Sequence, residues 1–286
     1  MPGPVEISDL VRGWQPDGSR TPIRRSEVVA ALTARGQRRA ARIAGRLPVV
    51  AEGPGAPDLL DMAAVDALML RVHAELQRLG EELSQGRRAA AYLRPVVERL
   101  GPGPVRLVDV GCGLGHLVRW LAATGALGPH VELVGVDLDR TLVGAAAVLA
   151  REEGLACRFV AGDAFAPAGV VEDPARTVVV SSGVLHHLTA DGLRAFLGAQ
   201  CALGVAAFVH WDPVPGPLAV LGARVFHRAR MREPLSRHDG VLSVRRAHPA
   251  ALLRAAAAHP DYVVTCDDPA SALSARVLRP LVGVRR

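Results

Sequence analysis

The chain is 286 residues long, half hydrophobic but only 3% aromatic, and carries a formal net charge of +6. That length accommodates one large domain with an accessory segment, and the shortage of rings means a core of small aliphatic side chains. All 34 basic residues are arginine, and the charge is uneven, +3 over residues 1–100, −3 over 101–205 and +6 over 206–286. The basic total therefore reflects composition and flanks rather than one selected nucleic-acid patch. Cys112, Cys157, Cys201 and Cys266 lie far apart with no C-x-x-C pair, which argues against structural zinc and a disulfide framework. No apolar run approaches the roughly 18 residues needed to cross a bilayer, and the N-terminus lacks the charged-then-apolar pattern of a leader. The expectation is a cytoplasmic protein without a membrane span.

Residues 1–22 are rich in proline, glycine and charge and are expected to be loosely ordered around Trp14. A helix is predicted over 26–47, with Val28, Leu32, Ala40, Ile43 and Leu47 on one side. Arg35, Arg38, Arg39, Arg42 and Arg46 mark another side, read as a solvated face ahead of a phosphate-contacting one. After a Pro/Gly break at 48–57, Asp58 reads as the N-cap of a longer helix to residue 83. There Met62, Val65, Met69, Val72, Leu76, Leu79 and Leu83 alternate spacings of three and four, an a/d seam suited to another helix. Packing within the subunit, a lid over a substrate and a homodimer through the 58–83 helix all fit that seam. A further helix over 87–100 runs into Gly-Pro-Gly-Pro at 101–104, a domain boundary by its composition. The predicted organisation is a helical accessory or lid segment over 1–100 and a second domain over 101–286, with 213–247 as an insertion.

Beyond residue 104 the pattern becomes alternating strands and helices. Residues 105–110 read as a short buried strand. Glycines follow at 111, 113 and 115, then Leu117, Val118, Trp120 and Leu121 at helical spacing. Strand, glycine turn and helix together bring bare N–H groups and a helix N-terminus up to a ligand. Further strands are predicted at 131–137, 157–161, 177–181 and 205–211. Helices are predicted over 141–153 and from a cap at Thr189 or Asp191 to 203. Short apolar strands separated by helices indicate a parallel sheet covered on both faces. Right-handed crossovers then gather the strand C-termini along one edge, which would carry 111–115, Asp137, Asp163, 181–187 and 210–212. Toward the C-terminus the reading is a proline turn, a helix over 218–230, a polar loop over 233–240 and a helix over 248–258. A strand at 262–266 and a last strand at 277–284 follow, the latter antiparallel if it returns by a hairpin through 267–275.

The run VDVGCGLGH (108–116) resembles the first motif of the class I S-adenosylmethionine-dependent methyltransferases. VGVDLD (134–139), GDAF (162–165) and SSGVLHHL (181–188) resemble the next three in the family's order. The resemblance covers roughly residues 88–212. It implies an α/β fold, a doubly wound, mostly parallel Rossmann-like sheet of the seven-stranded methyltransferase type with an N-terminal helical segment. It also implies S-adenosyl-L-methionine as cofactor. Gly111, Cys112, Gly113 and Gly115 would lie against its methionine part, and Asp109 would help hold the ammonium. Asp137 would receive the ribose hydroxyls with Leu138 beside it. Gly162, Asp163 and Ala164 would meet the adenine, while Ser181 and Ser182 complete the cofactor-binding set. A dinucleotide oxidoreductase shares the first two features, but its glycine pattern requires glycine where His116 stands.

The Leu185-His186-His187 sequence resembles the ubiquinone/menaquinone C-methyltransferase type and small-molecule O- and N-methyltransferases. The Asn- or Asp-Pro-Pro-Tyr of DNA amino-methyltransferases is missing after the fourth strand, as is the nucleophilic cysteine of cytosine C5 enzymes. A small-molecule acceptor is therefore expected, with RNA modification or RNA binding through the basic N-terminal segment as the alternative. His187 is the expected substrate-facing base and His186 its neighbour near the cofactor; packing roles for both remain open. His210, Trp211 and Asp212 are expected substrate contacts, Trp211 by stacking on an aromatic acceptor. His238, Arg245 and His248 are further candidates, and no metal is expected.

Overall fold

A computed structural model describes residues 3–51, 57–266 and 277–286. The chain divides into two compact units, Met1–Leu76 with Pro215–Arg246, and Gln77–Val214 with Ala247–Arg286.

The second unit contains a seven-stranded sheet in the order β3-β2-β1-β4-β5-β7-β6. Its strands are β1 (Val105–Val110), β2 (Val131–Asp137), β3 (Arg158–Ala161), β4 (Thr177–Ser182), β5 (Ala207–Pro213), β6 (Tyr262–Thr265) and β7 (Leu278–Arg285). The first five are parallel, and β7 pairs antiparallel with both β5 and β6. The expected antiparallel last strand is present, while the connection expected through 267–275 lies outside the described residues. Successive side chains serve opposite faces. Val108, Val179 and Phe208 belong to one apolar cluster with Leu193, Phe196 and Leu197 of α8 (Ala190–Leu203). Leu107, Val178, Val180 and Val209 belong to the other, with Leu117 and Leu121 of α6 (His116–Thr124). Both faces of β1 and β4 are thus dry, which is why Leu107-Val108 and Val178-Val179-Val180 stand as consecutive aliphatic residues rather than alternating with polar ones.

Helix α5 (Gln85–Arg99) also buries Ala89, Ala90, Leu93, Val96 and Val97 in this second cluster. It therefore belongs to the sheet's own unit, and Gly101–Pro104 is a turn into β1 rather than the expected boundary. Asp139 caps α7 (Arg140–Glu152) by accepting from the N–H groups of Thr141 and Leu142. Thr189 rather than Asp191 caps α8, accepting from Gly192 N at 3.1 Å. Helix α11 (Ala250–Ala256) completes this unit.

The first unit is helical and departs from expectation in four places. The expected looseness around Trp14 is not found in residues 3–22: α1 (Ile7–Val11) buries Ile7 and Val11 completely. Its first N–H groups, on Ile7 and Ser8, donate to the Asp239 carboxylate at 3.2 and 3.0 Å. That aspartate lies in a helix, α10 (Pro234–Arg246), where a polar loop was expected. The predicted helix over 26–47 is two, α2 (Arg25–Ala34) and α3 (Arg38–Ala44). Gly36 at φ +72° turns the chain between them, a conformation that costs glycine little. Asp58 accepts from Ser26 N at 2.7 Å at the start of α2, and it is Asp61 that caps α4 (Met62–Glu82), taking Ala63 N and Ala64 N at 3.0 and 3.1 Å.

Helix α4 contributes to the first unit up to Leu76 and to the second from Gln77. Val65, Met69 and Val72 of its seam are buried with Leu32, Leu60 and Leu235, so the first half of the seam packs internally. Helix α9 (Pro217–Arg230) lies beside α10. Among the described residues no helix is long and apolar enough to cross a membrane.

Candidate active site

From β1 the chain winds outward through β2 and β3, then returns to β4 on the other side of β1. The crevice beyond the C-terminal ends of β1 and β4 is therefore the switch point where doubly wound sheets bind ligands. Gly111, Gly113 and Gly115 lie here at φ +72°, +54° and +69°. A Cβ on Gly111 would stand 2.6 Å from Val184 Cγ2, and one on Gly115 2.2 Å from the Phe159 ring. Both the conformation and the space thus require glycine.

The turn is held from β2. Gly111 N and Cys112 N donate to Val136 O at 2.8 and 3.0 Å, and Gly113 N donates to Asp137 Oδ2 at 2.8 Å. Asp137 Oδ1 accepts from Asp139 N at 2.9 Å. Sequence reasoning missed this bracing role, since only the fold brings residue 137 to residue 113. Asp109, one residue before the turn, is buried and its Oδ1 has no hydrogen-bond partner among the described residues. Burial, and then the neighbouring Asp137 charge, push its carboxyl up to about 8. Burial above all also raises the Cys112 thiol well above its ordinary range, so Cys112 is no nucleophile at neutral pH. Leu138 is half-buried beside Asp137. Gly162 N donates to Asp137 O at 2.9 Å. Asp163 Oδ1 closes an Asx-type turn with Phe165 N at 2.9 Å. Ala164 packs against the core, and Phe165 is exposed with its ring edge-on to Phe196.

At the ends of β4 and β5 the predicted residues divide by face. Ser181 and His210 are fully buried, Ser181 Oγ lying 2.8 Å from His210 Nδ1. His210 Nε2 lies 3.0 Å from Gln200 Oε1 of α8, and burial pulls the imidazole down to about 3. Neither residue is a ligand contact, because both are spent inside the core. Trp211 is buried on the opposite face, its ring 6.4 Å from that of Tyr92 in α5. It is a core residue and no stacking platform, since the strand's alternation turns it toward α5. Ser182 Oγ accepts from Gln85 Nε2 at 2.5 Å. Asp212 returns to the first face, where Asp212 Oδ1 lies 2.9 Å from His186 Nδ1 with both side chains buried. His187 is half-buried, its ring centroid 4.2 Å from that of His186. Asp212 thus serves as a histidine's partner through Oδ1, while its Oδ2 has no hydrogen-bond partner among the described residues. Gln85 and Gln200, absent from the sequence reading, gave no signal beyond helical spacing. His248 Nε2 meets the Leu188 carbonyl at 3.0 Å, and His238 Nδ1 pairs with Asp239 within the first unit.

Residues 107–203 match the family model described as a methyltransferase domain. Those residues are a methyltransferase domain by that match, and the sheet that contains them has the fold of the class I S-adenosylmethionine-dependent enzymes. Over 138 residues, 48% of the chain, the protein is 32% identical to ribosomal RNA small subunit methyltransferase A of Myxococcus xanthus (strain DK1622). It spans less than half of that relative, 42% of its length. Magnesium protoporphyrin IX methyltransferase from Synechocystis PCC 6803 with bound SAH shares the fold at 17% identity, with a TM-score of 0.50 over 91% of this chain and 99% of that one. The plantazolicin methyltransferase in complex with a triazolic desmethylPZN analog and SAH does so at 11% identity, with a TM-score of 0.54 over 74% and 90%. At such identities the likeness is one of fold. This chain's own residues fit the methyl donor of the fold, an orphaned buried carboxylate standing beside a glycine turn that a cationic amino-acid group can approach.

Proposed function

We propose that this protein transfers a methyl group from S-adenosylmethionine to a small-molecule acceptor whose attacking atom loses a proton to His187. The buried Asp109 carboxylate, whose Oδ1 has no hydrogen-bond partner among the described residues, one residue before the glycine turn, carries the reading. When bound, S-adenosylmethionine supplies a methyl group on a sulfonium. Asp109 holds the ammonium of the methionine part, because a nearby cation restores the charge that burial suppresses. Asp137 keeps acceptor capacity for ribose hydroxyls beyond its two N–H bonds. Asp163 offers its second oxygen to the adenine amino group, against Phe165. The glycine turn admits the donor closely, and positioning supplies most of the acceleration in such a displacement. His187 accepts the acceptor's proton, with its ring packed on that of His186, which Asp212 holds in place.

A small-molecule acceptor is supported by the net charge of −3 over residues 101–205, which disfavours a phosphate backbone at the site. RNA modification is the second reading. It rests on the likeness to the Myxococcus ribosomal RNA methyltransferase and on exposed Arg38, Arg39, Arg42 and Arg46. Methyl-tritiated S-adenosylmethionine, offered with a metabolite extract and separately with ribosomal RNA, distinguishes them. Label is expected in the low-mass organic fraction; label held in nuclease-sensitive RNA instead would refute the small-molecule assignment.

A further inference from the structure

Helix α9 presents an apolar face outward. Leu218, Leu221 and Val225 are 84%, 57% and 65% exposed, and their spacing of three and four places them on one side of the helix. Its one buried residue, His227, lies on the opposite side. Arg224 and Arg228, one turn apart and both exposed, run along one flank of the apolar stripe. From Pro213 to Arg232 the chain has four arginines and no acidic residue. The exposed α3 arginines have no comparable row of leucine or valine beside them among the exposed large side chains of the described residues.

We propose that α9 seats the protein on an anionic lipid surface. A basic flank beside an outward aliphatic stripe is the arrangement that lies in a bilayer interface, with the aliphatics among the acyl chains and the guanidiniums at the headgroups. The charge selects this occupant. A second copy of the chain would bring arginine against arginine, and a neutral apolar surface would leave the arginines without counter-charge. The helix is 14 residues long, about 21 Å, so it lies on a membrane rather than crossing it.

The test is flotation of the full chain with vesicles of phosphatidylcholine alone and of phosphatidylcholine mixed with phosphatidylglycerol. Binding is expected to be at least tenfold tighter to the anionic vesicles and to weaken with added salt. A variant combining Leu218→Ser, Leu221→Ser and Val225→Ser is expected to lose at least tenfold, with an unchanged circular dichroism spectrum because all three side chains are exposed. Arg224→Gln with Arg228→Gln is expected to lose roughly fivefold per charge on anionic vesicles and nothing on neutral ones. Equal binding to both vesicle types, no binding, or wild-type binding by the serine variant overturns the proposal. So does a dimer in sedimentation that those serines dissolve, since the occupant would then be a second copy.

Discussion

His210 and His187 belong to neighbouring strands or the turns that follow them, and the sequence places both at the acceptor side of the site, His187 as a base and His210 as a substrate contact. His210 has both ring nitrogens engaged, by Ser181 and Gln200, and no exposed surface. His187 is half-buried over His186, which leans on Asp212. An imidazole pulled down to about 3 by burial takes up no proton near neutral pH, whereas the half-buried His187 keeps part of its ring at the surface, where an acceptor can reach it. Place in the fold, rather than residue type, separates the two: His210 lies inside β5 between two packed layers, and His187 in the turn that follows β4.

The largest effect expected from that contrast is on turnover. His187→Asn is expected to lower methyl transfer by about 10²–10⁴, with S-adenosylmethionine affinity and melting temperature unchanged; equal turnover in wild type and variant would reverse the assignment. His210→Ala has the opposite signature. It leaves the Ser181 hydroxyl and Gln200 amide buried without their partner and opens a cavity, so urea denaturation is expected to show a loss of about 2–4 kcal/mol. Donor affinity measured well below the denaturation midpoint is expected to stay the same.

The same contrast of satisfied and unsatisfied groups separates the two carboxylates of the donor side. Asp137 is braced by two N–H groups, and Asp137→Ala removes both that brace and the acceptor proposed for the ribose hydroxyls. A rise of about tenfold to a hundredfold in the dissociation constant of S-adenosylmethionine is expected by calorimetry. The smallest effect is on pH-dependent stability. Asp109 has a folded value of about 8 against roughly 3.9 in an unfolded chain. The folded state therefore holds a proton that the unfolded state releases, and this group's contribution to stability falls as pH rises from about 4 to about 8. Relative to wild type, Asp109→Asn without donor is expected to gain at least ~1 kcal/mol between pH 5 and pH 8, read from urea midpoints.

Much of the sheet was legible because buried parallel strands write themselves as Val/Leu runs, and the glycine turn because few other residues fit its backbone. The edge residues were legible only as positions. Asp109 and Asp137 lie at the ends of β1 and β2 and Asp163 just after β3, but alternation along β4 and β5 sends Ser181, His210 and Trp211 into the two cores. Whether a strand-end residue faces ligand or core depends on where the chain leaves the sheet, and a shift of one residue inverts it. The helical unit was least legible. Asp239 capping α1 joins residues 7 and 239, a contact no local pattern encodes, and Asp58 and Asp61 are equally good caps until Ser26 claims one of them.

The central claim is that the glycine turn of β1 seats a cationic donor over Asp109. Calorimetry of S-adenosylmethionine binding at pH 7, in two buffers of different ionisation enthalpy, tests it most directly. A carboxyl held at about 8 must ionise to pair with the ammonium, so wild type is expected to release about one proton more than Asp109→Asn, and to bind at least tenfold more tightly. No binding by wild type, or equal affinity and equal proton exchange in the two proteins, would contradict the account.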